Sequence, residues 1–218
     1  MDKIRIIYFL EDRAHEGFIK ALVERIAKEE SIDEHSLIHD IRAARGGSRI
    51  INQFKNFIRD TSDVGAIDID FLVVARDGNC RGNRERVKEL ERCIRENHPL
   101  KERVIYAIPD PHIERWYLID QRALKEGVGL DKAPDLPPYK CKKDHYKQVL
   151  KKALKESNVN SLLGGPEYAE RIVDNIDNLE SLSQQNAGFQ AFVENLRSRF
   201  RSIKSGQRIA GRPGFLRC

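Results

Sequence analysis

Oxygen-bearing side chains gather at three points of this sequence, each directly after an apolar run. Glu11 and Asp12 follow the run at residues 4–10, with His15 and Glu16 just beyond. Asp77 and Asn79 follow the run at 69–75, and in an extended chain their side chains point the same way. Asp110 follows the run at 104–108, with Glu114 one turn into the next helical pattern. Oxygen donors in this number suit a hard divalent cation, Mg2+ or Mn2+. Such an ion polarises a phosphoryl oxygen and lowers the pKa of water, so the matching chemistry is phosphodiester hydrolysis. Glu11, Asp12, Asp77, Asn79 and Glu114 are the candidate metal ligands, and Glu11, Asp12, Glu16 and Asp77 the candidate catalytic acids. His15 and His112 each adjoin a candidate acid and are placed to orient a carboxylate or pass a proton. Plainer readings stand beside each: Asp12 as a helix N-cap, Asp77-Gly78-Asn79 as a turn, Glu114 as a first-turn acid, His112 as a surface group. The shared position of these acids at strand ends carries the metal reading. Asp68 and Asp70 precede their strand, so they read as a solvated strand entry.

The elements that must position these groups follow from hydrophobic periodicity. Ile4, Ile6, Ile7, Tyr8, Phe9 and Leu10 form a nearly continuous apolar run, as do Ile69 and residues 71–75. Such runs are strands buried on both faces. Phe18, Ile19, Leu22, Val23 and Ile26 mark one helix face; Ile50, Ile51, Phe54, Phe57 and Ile58 mark another, and Val87, Leu90 and Ile94 a third. Strands alternating with such helices predict an α/β fold with a mostly parallel sheet flanked by helices. Ligand sites of these sheets lie at the carboxyl ends of the strands, where the acids fall. After Pro111 the pattern turns helical, with helices expected over about 144–157, 166–181 and 188–203. The expected organisation is an α/β domain over 1–125, a helical extension packed on it over 126–203, and a basic tail over 204–218.

Charge and cysteine usage narrow the class. The net charge of +5 is concentrated at the C-terminus: no acid occurs from Asn195 to Cys218, whereas Arg197, Arg199, Arg201, Lys204, Arg208, Arg212 and Arg217 do. A basic tail is an electrostatic handle for phosphates. Arg197, Arg201, Lys204 and Arg208, with Arg45 and Arg49 around the Gly46-Gly47 turn, are the candidate nucleic-acid contacts. Arg45-Gly46-Gly47-Ser48 does not match a nucleoside-triphosphate loop. Cys80, Cys93, Cys141 and Cys218 form no close pair, so reduced thiols in a cytoplasmic protein are expected. No apolar run reaches membrane-span length, and no membrane partner is expected.

Taken together, the motifs resemble Toprim domains of the OLD-like and RloB-like group. Leu10-Glu11-Asp12-Arg13-Ala14-His15-Glu16-Gly17-Phe18 is similar to their first acidic element, with either Glu11 or Asp12 as the first acid. Val73-Val74-Ala75-Arg76-Asp77-Gly78-Asn79 resembles their DxD strand, with Asn79 at the second acid. The segment from Ile108 to Leu118, with Pro111, Glu114, Trp116 and Leu118, resembles a later motif of the group, and Phe189 to Arg197 a late phenylalanine-containing helix. The resemblance implies a metal-dependent nuclease that acts on nucleic acid, serves in phage defence and works with an ATPase partner. The Asn79 substitution removes one charge from the expected ligand set. The rival expectations are a non-catalytic Toprim-like subunit that binds a partner or nucleic acid, and a nucleotide or oligonucleotide phosphotransferase.

Overall fold

A computed structural model describes residues 3–43, 47–61 and 68–206. Four strands, β1 (Ile4–Leu10), β2 (Leu37–Ala43), β3 (Phe71–Ala75) and β4 (Val104–Ala107), form one sheet in the order β2-β1-β3-β4. Every pairing is parallel. Helix α1 (Arg13–Glu29) carries the chain from β1 to β2, α2 (Gly47–Asp60) from β2 to β3, and α3 (Gly82–Glu91) from β3 to β4. The first crossover moves one way along the sheet and the next two move the other way. Crossovers of one hand must then put α1 on one face and α2 and α3 on the other.

The core obeys that division. Ile6, Tyr8, Leu10, Val73 and Ala107 face α1, whereas Ile7, Phe9, Leu72 and Val74 face Ile50, Phe54 and Ile58 of α2 and Leu90 of α3. This alternation of buried faces explains why β1 and β3 are apolar without a break. The remaining helices, α4 (Glu114–Tyr117), α5 (Gln121–Val128), α6 (His145–Glu156), α7 (Ala169–Asp174), α8 (Leu179–Ser183) and α9 (Ala187–Lys204), join the α1 face. Leu150, Ile172, Phe192 and Phe200 share one continuous core with β1 and β3. Trp116 packs edge-on against Phe189 at a centroid distance of 5.1 Å. Among the described residues, no helix is long and apolar enough to cross a membrane.

Two expectations change. The helix expected over 166–181 is broken, because Asn178 caps a new helix by accepting the Glu180 and Ser181 N–H groups. The preceding residues form only a single 3-10 turn and the short α7. The expectation of unpaired thiols is also corrected: Cys80 and Cys141, 61 residues apart, form a disulfide. The Pro- and Lys-rich loop before α6 folds back over the carboxyl edge of the sheet. There the Tyr139 hydroxyl donates to the Asp110 carboxylate at 2.8 Å. Sequence spacing held no sign of this pairing, because only the folded loop brings the thiols together.

The bridge closes a long loop, so its loss acts mainly by freeing the unfolded chain. Cys141→Ser is expected to cost up to about 4 kcal/mol. Urea midpoints of wild type and variant, each with and without reductant, measure this. Wild type that is indifferent to reductant would mean that the thiols are unpaired in solution.

Candidate metal centre

The crossover leaving β1 runs towards β2, while the one leaving β3 runs towards β4, so the crevice between β1 and β3 is the switch point of the sheet. Open parallel sheets bind ligands there because the departing loops splay apart. Leu10 lies opposite Ala75, and the Glu11 N–H donates to the Ala75 carbonyl at 3.1 Å, extending the ladder into the loop. The Asp77 N–H in turn donates to the Glu11 carboxylate at 2.8 Å. The two acids therefore face each other across the crevice.

Asp12 is the N-cap of α1. Its Oδ1 accepts the His15 N–H at 3.1 Å and also bonds the His15 ring at Nδ1, 2.8 Å away. These two hydrogen bonds fix a fully buried imidazole with its other nitrogen facing β3. His15 Nε2 lies 3.2 Å from Asp77 Oδ1 but lacks the alignment of a hydrogen bond, so it is buried without a hydrogen-bond partner. Asp77 is held from a third side: its Oδ1 accepts the Ile113 N–H at 2.9 Å and its Oδ2 pairs with His112 Nδ1 at 3.0 Å. Gly78 keeps this turn close to the next strand, because a Cβ there would collide with the Asp110 carboxylate.

The charges are mutually dependent. Burial opposes the charge on His15, but the charge of Asp77 and the hydrogen bond to Asp12 prevail and raise its pKa to about 10. Burial likewise opposes the charge on Asp77, yet the His15 charge and the His112 hydrogen bond hold its pKa down at about 2. Burial, then the Asp77 charge, raise Glu11 above the ordinary carboxylate range. Burial raises Glu114 too, with a contribution from Asp77.

A divalent cation fits this donor set. Ligand atoms of Glu11, His15 and Asp77 all lie within 4.8 Å of one another. His15 Nε2, which makes no aligned hydrogen bond and lies beside Asp77 Oδ1, is the atom that a metal would take, and Asp12 behind Nδ1 is the usual support of a metal-bound histidine. One nitrogen and two carboxylates suit Mn2+ better than Mg2+, which prefers oxygen alone.

The structure thus brings Glu11, Asp12, His15, Asp77 and His112 together. Asp12 stands behind the histidine, and His15 is one of the three residues whose donor atoms converge. Glu16 and Glu114 line a cavity of about 740 Å³ beside Asp12, off the cluster itself. Asn79 is exposed, and its side-chain amide donates to the Asp77 carbonyl at 3.4 Å, so it stands outside the cluster. The expected nucleic-acid contacts lie elsewhere. Arg197 pairs with Glu29 at 2.7 Å, Arg201 pairs with Glu30 at 2.8 Å, and Lys204 donates to the Glu30 carbonyl at 3.1 Å. These partners sit at the far end of α1, about 25 Å along its axis from Asp12. Arg49 is exposed on the first turn of α2, while Arg45 and Arg208 lie outside the described residues. Missed in the sequence were Lys147, which lines the same cavity as Glu114, and Lys151 and Lys155 beyond it. Their signal was the i, i+4, i+8 spacing on one helix.

Residues 10–197 match the family model for the domain of unknown function DUF4276, and the chain belongs to that family. Searches of curated proteins and of solved structures found no match.

The His15–Asp77 attraction makes metal-free stability depend on pH at both ends. The share tied to His15 is whole below its ordinary value of 6.5 and is lost as pH rises through about 10. The share tied to Asp77 is whole above 3.8 and is lost as pH falls through about 2. In EDTA, wild type should lose denaturation midpoint between neutral and strongly alkaline pH, and His15→Gln should flatten that limb. An equally steep alkaline limb in the variant would exclude the pairing.

Proposed function

We propose that the protein is a divalent-metal-dependent nuclease of the Toprim type, with Glu11, His15 and Asp77 as its metal ligands. The observation that carries this reading is the convergence of two carboxylates and a buried imidazole nitrogen with no aligned hydrogen bond at the switch point. A cation held there would supply Lewis acidity to a phosphoryl oxygen. Asp12 fixes the tautomer and direction of His15, and His112 steadies Asp77. Glu114, with its raised pKa and its place on the adjoining cavity, is suited to take a proton from attacking water or return one to the leaving oxygen. Glu16 shares that cavity and can orient water. The resemblance to OLD-like and RloB-like proteins supports nucleic acid as the substrate and an ATPase as the partner that licenses cleavage.

One observation favours a non-catalytic subunit instead. Both Asp77 oxygens already have protein partners, Ile113 N–H and His112, as in a purely structural clip. Metal-stimulated cleavage separates the two readings.

With Mn2+, wild type, assayed alone and with its cognate ATPase, is expected to cleave nucleic acid. Asp77→Ala and Glu11→Gln should each lower the rate by about a thousandfold or more, the scale of several kcal/mol of transition-state stabilisation. Asp12→Asn should instead weaken Mn2+ affinity by about 10–100-fold, as for a lost histidine support. Cleavage that survives Asp77→Ala would remove this site from the reaction.

A further inference from the structure

The cavity beside the acid cluster does not end there. Lys147, Leu163 and Gly164 line it and also line a second cavity of about 630 Å³, so the two adjoin along these residues. Lys151 and Lys155 line the second cavity. The three lysines stand at i, i+4 and i+8 of α6, in a shallow row with steps of about 6 Å. That interval is of the order separating successive phosphates of an extended strand. Among the described residues, none of these lysines is in a salt bridge, although Lys152 on the neighbouring face pairs with Glu156 at 3.6 Å. The surrounding sequence is strongly basic, with seven lysines and two acids from Tyr139 to Glu156. This charge escapes whole-chain accounting because acids elsewhere offset it.

The opposite wall is built to stay close to the row. Glu167 accepts the Ser161 hydroxyl at 2.6 Å and the Gly165 N–H at 3.1 Å, closing the 161–165 loop into a tight turn. Gly164 and Gly165 have φ of +80° and +121°, and a Cβ on either would strike Lys151 or Leu150. The loop therefore rests on α6 and pins the Lys151 stem against Gly164. Its tip presents Leu162 and Leu163, exposed at 99% and 47%, beside the lysines. Cationic heads along one side and apolar side chains on the other are what a strand with unstacked bases requires. A duplex buries its bases and gains nothing from the leucines.

We propose that the groove between α6 and the 161–165 loop is a track for a single-stranded polynucleotide, with Lys147, Lys151 and Lys155 contacting its backbone and leading it into the candidate metal centre. This rests on the nuclease reading for the direction of the strand, but the binding surface is tested without cleavage. Phosphate contacts make affinity fall by about 0.7 log units per tenfold rise in salt for each phosphate neutralised on a single strand.

The test measures fluorescence anisotropy of short labelled DNA and RNA strands, in EDTA, with the full chain. Lys147→Gln/Lys151→Gln/Lys155→Gln keeps helix propensity close to that of lysine, and circular dichroism confirms its fold. Wild type should bind single strands more tightly than duplex. The triple variant should lose at least about tenfold in affinity and about 2 from the salt slope. Leu162→Ser should weaken single-strand binding without changing the salt slope. The DNA and RNA arms identify which backbone is preferred. Equal binding by wild type and triple variant, preference for duplex, or loss of binding only on replacing Arg208 and Arg212 would each overturn the track while leaving the metal centre standing. Cleavage lost by Asp77→Ala with binding intact would show the two proposals to be separable.

Discussion

The parallel pairing of β1 with β3, with Leu10 set opposite Ala75, sets Glu11 against Asp77, the pair around which the rest of the centre is arranged. A shift of one residue would turn the buried side chains of either strand to the other face of the sheet. It would also part Glu11 from the Asp77 N–H that it accepts. The register is secure because both strands are buried on both sides, so the hydrophobic core and the acid cluster depend on the same ladder. The crossovers then diverge from these two strands, opening the crevice that the acids border.

On that frame Asp12 links helix and site. Its carboxylate caps α1 and also fixes the imidazole one turn later, so helix initiation and histidine orientation share one oxygen. The opposite end of α1 is tied just as firmly. Helix α9 runs beside α1 in the same direction, bringing two C-terminal ends together. Arg197, Arg201 and Lys204 offset the negative dipole ends there and engage Glu29 and Glu30. The basic residues expected to meet phosphate thus also tie α9 to the end of α1.

Much of the frame was legible from residue order. The buried strands, the amphipathic helices and the acids at strand ends follow from periodicity and from the rule for open sheets. Long-range geometry was not. Nothing local says whether Asp12 or His15 faces Asp77, since that depends on the cap geometry of α1. Asn79 has ligand spacing only if the chain stays extended, but the chain has already turned there, with a φ of +49°. The Cys80–Cys141 bridge joins segments that meet only when the loop before α6 folds over the sheet. The lysine row was visible as helical spacing, yet its relation to the acids depends on how α6 packs, which periodicity does not specify.

In the proposed function, Glu11, His15 Nε2 and Asp77 share one divalent cation. Anomalous diffraction from crystals grown with Mn2+ tests this directly, because it locates the metal without reference to any activity. One strong peak is expected in the crevice between β1 and β3, within bonding distance of all three side chains, with Asp12 still bonded to Nδ1. A peak held elsewhere, or no peak with His15 still turned onto Asp77, would contradict it.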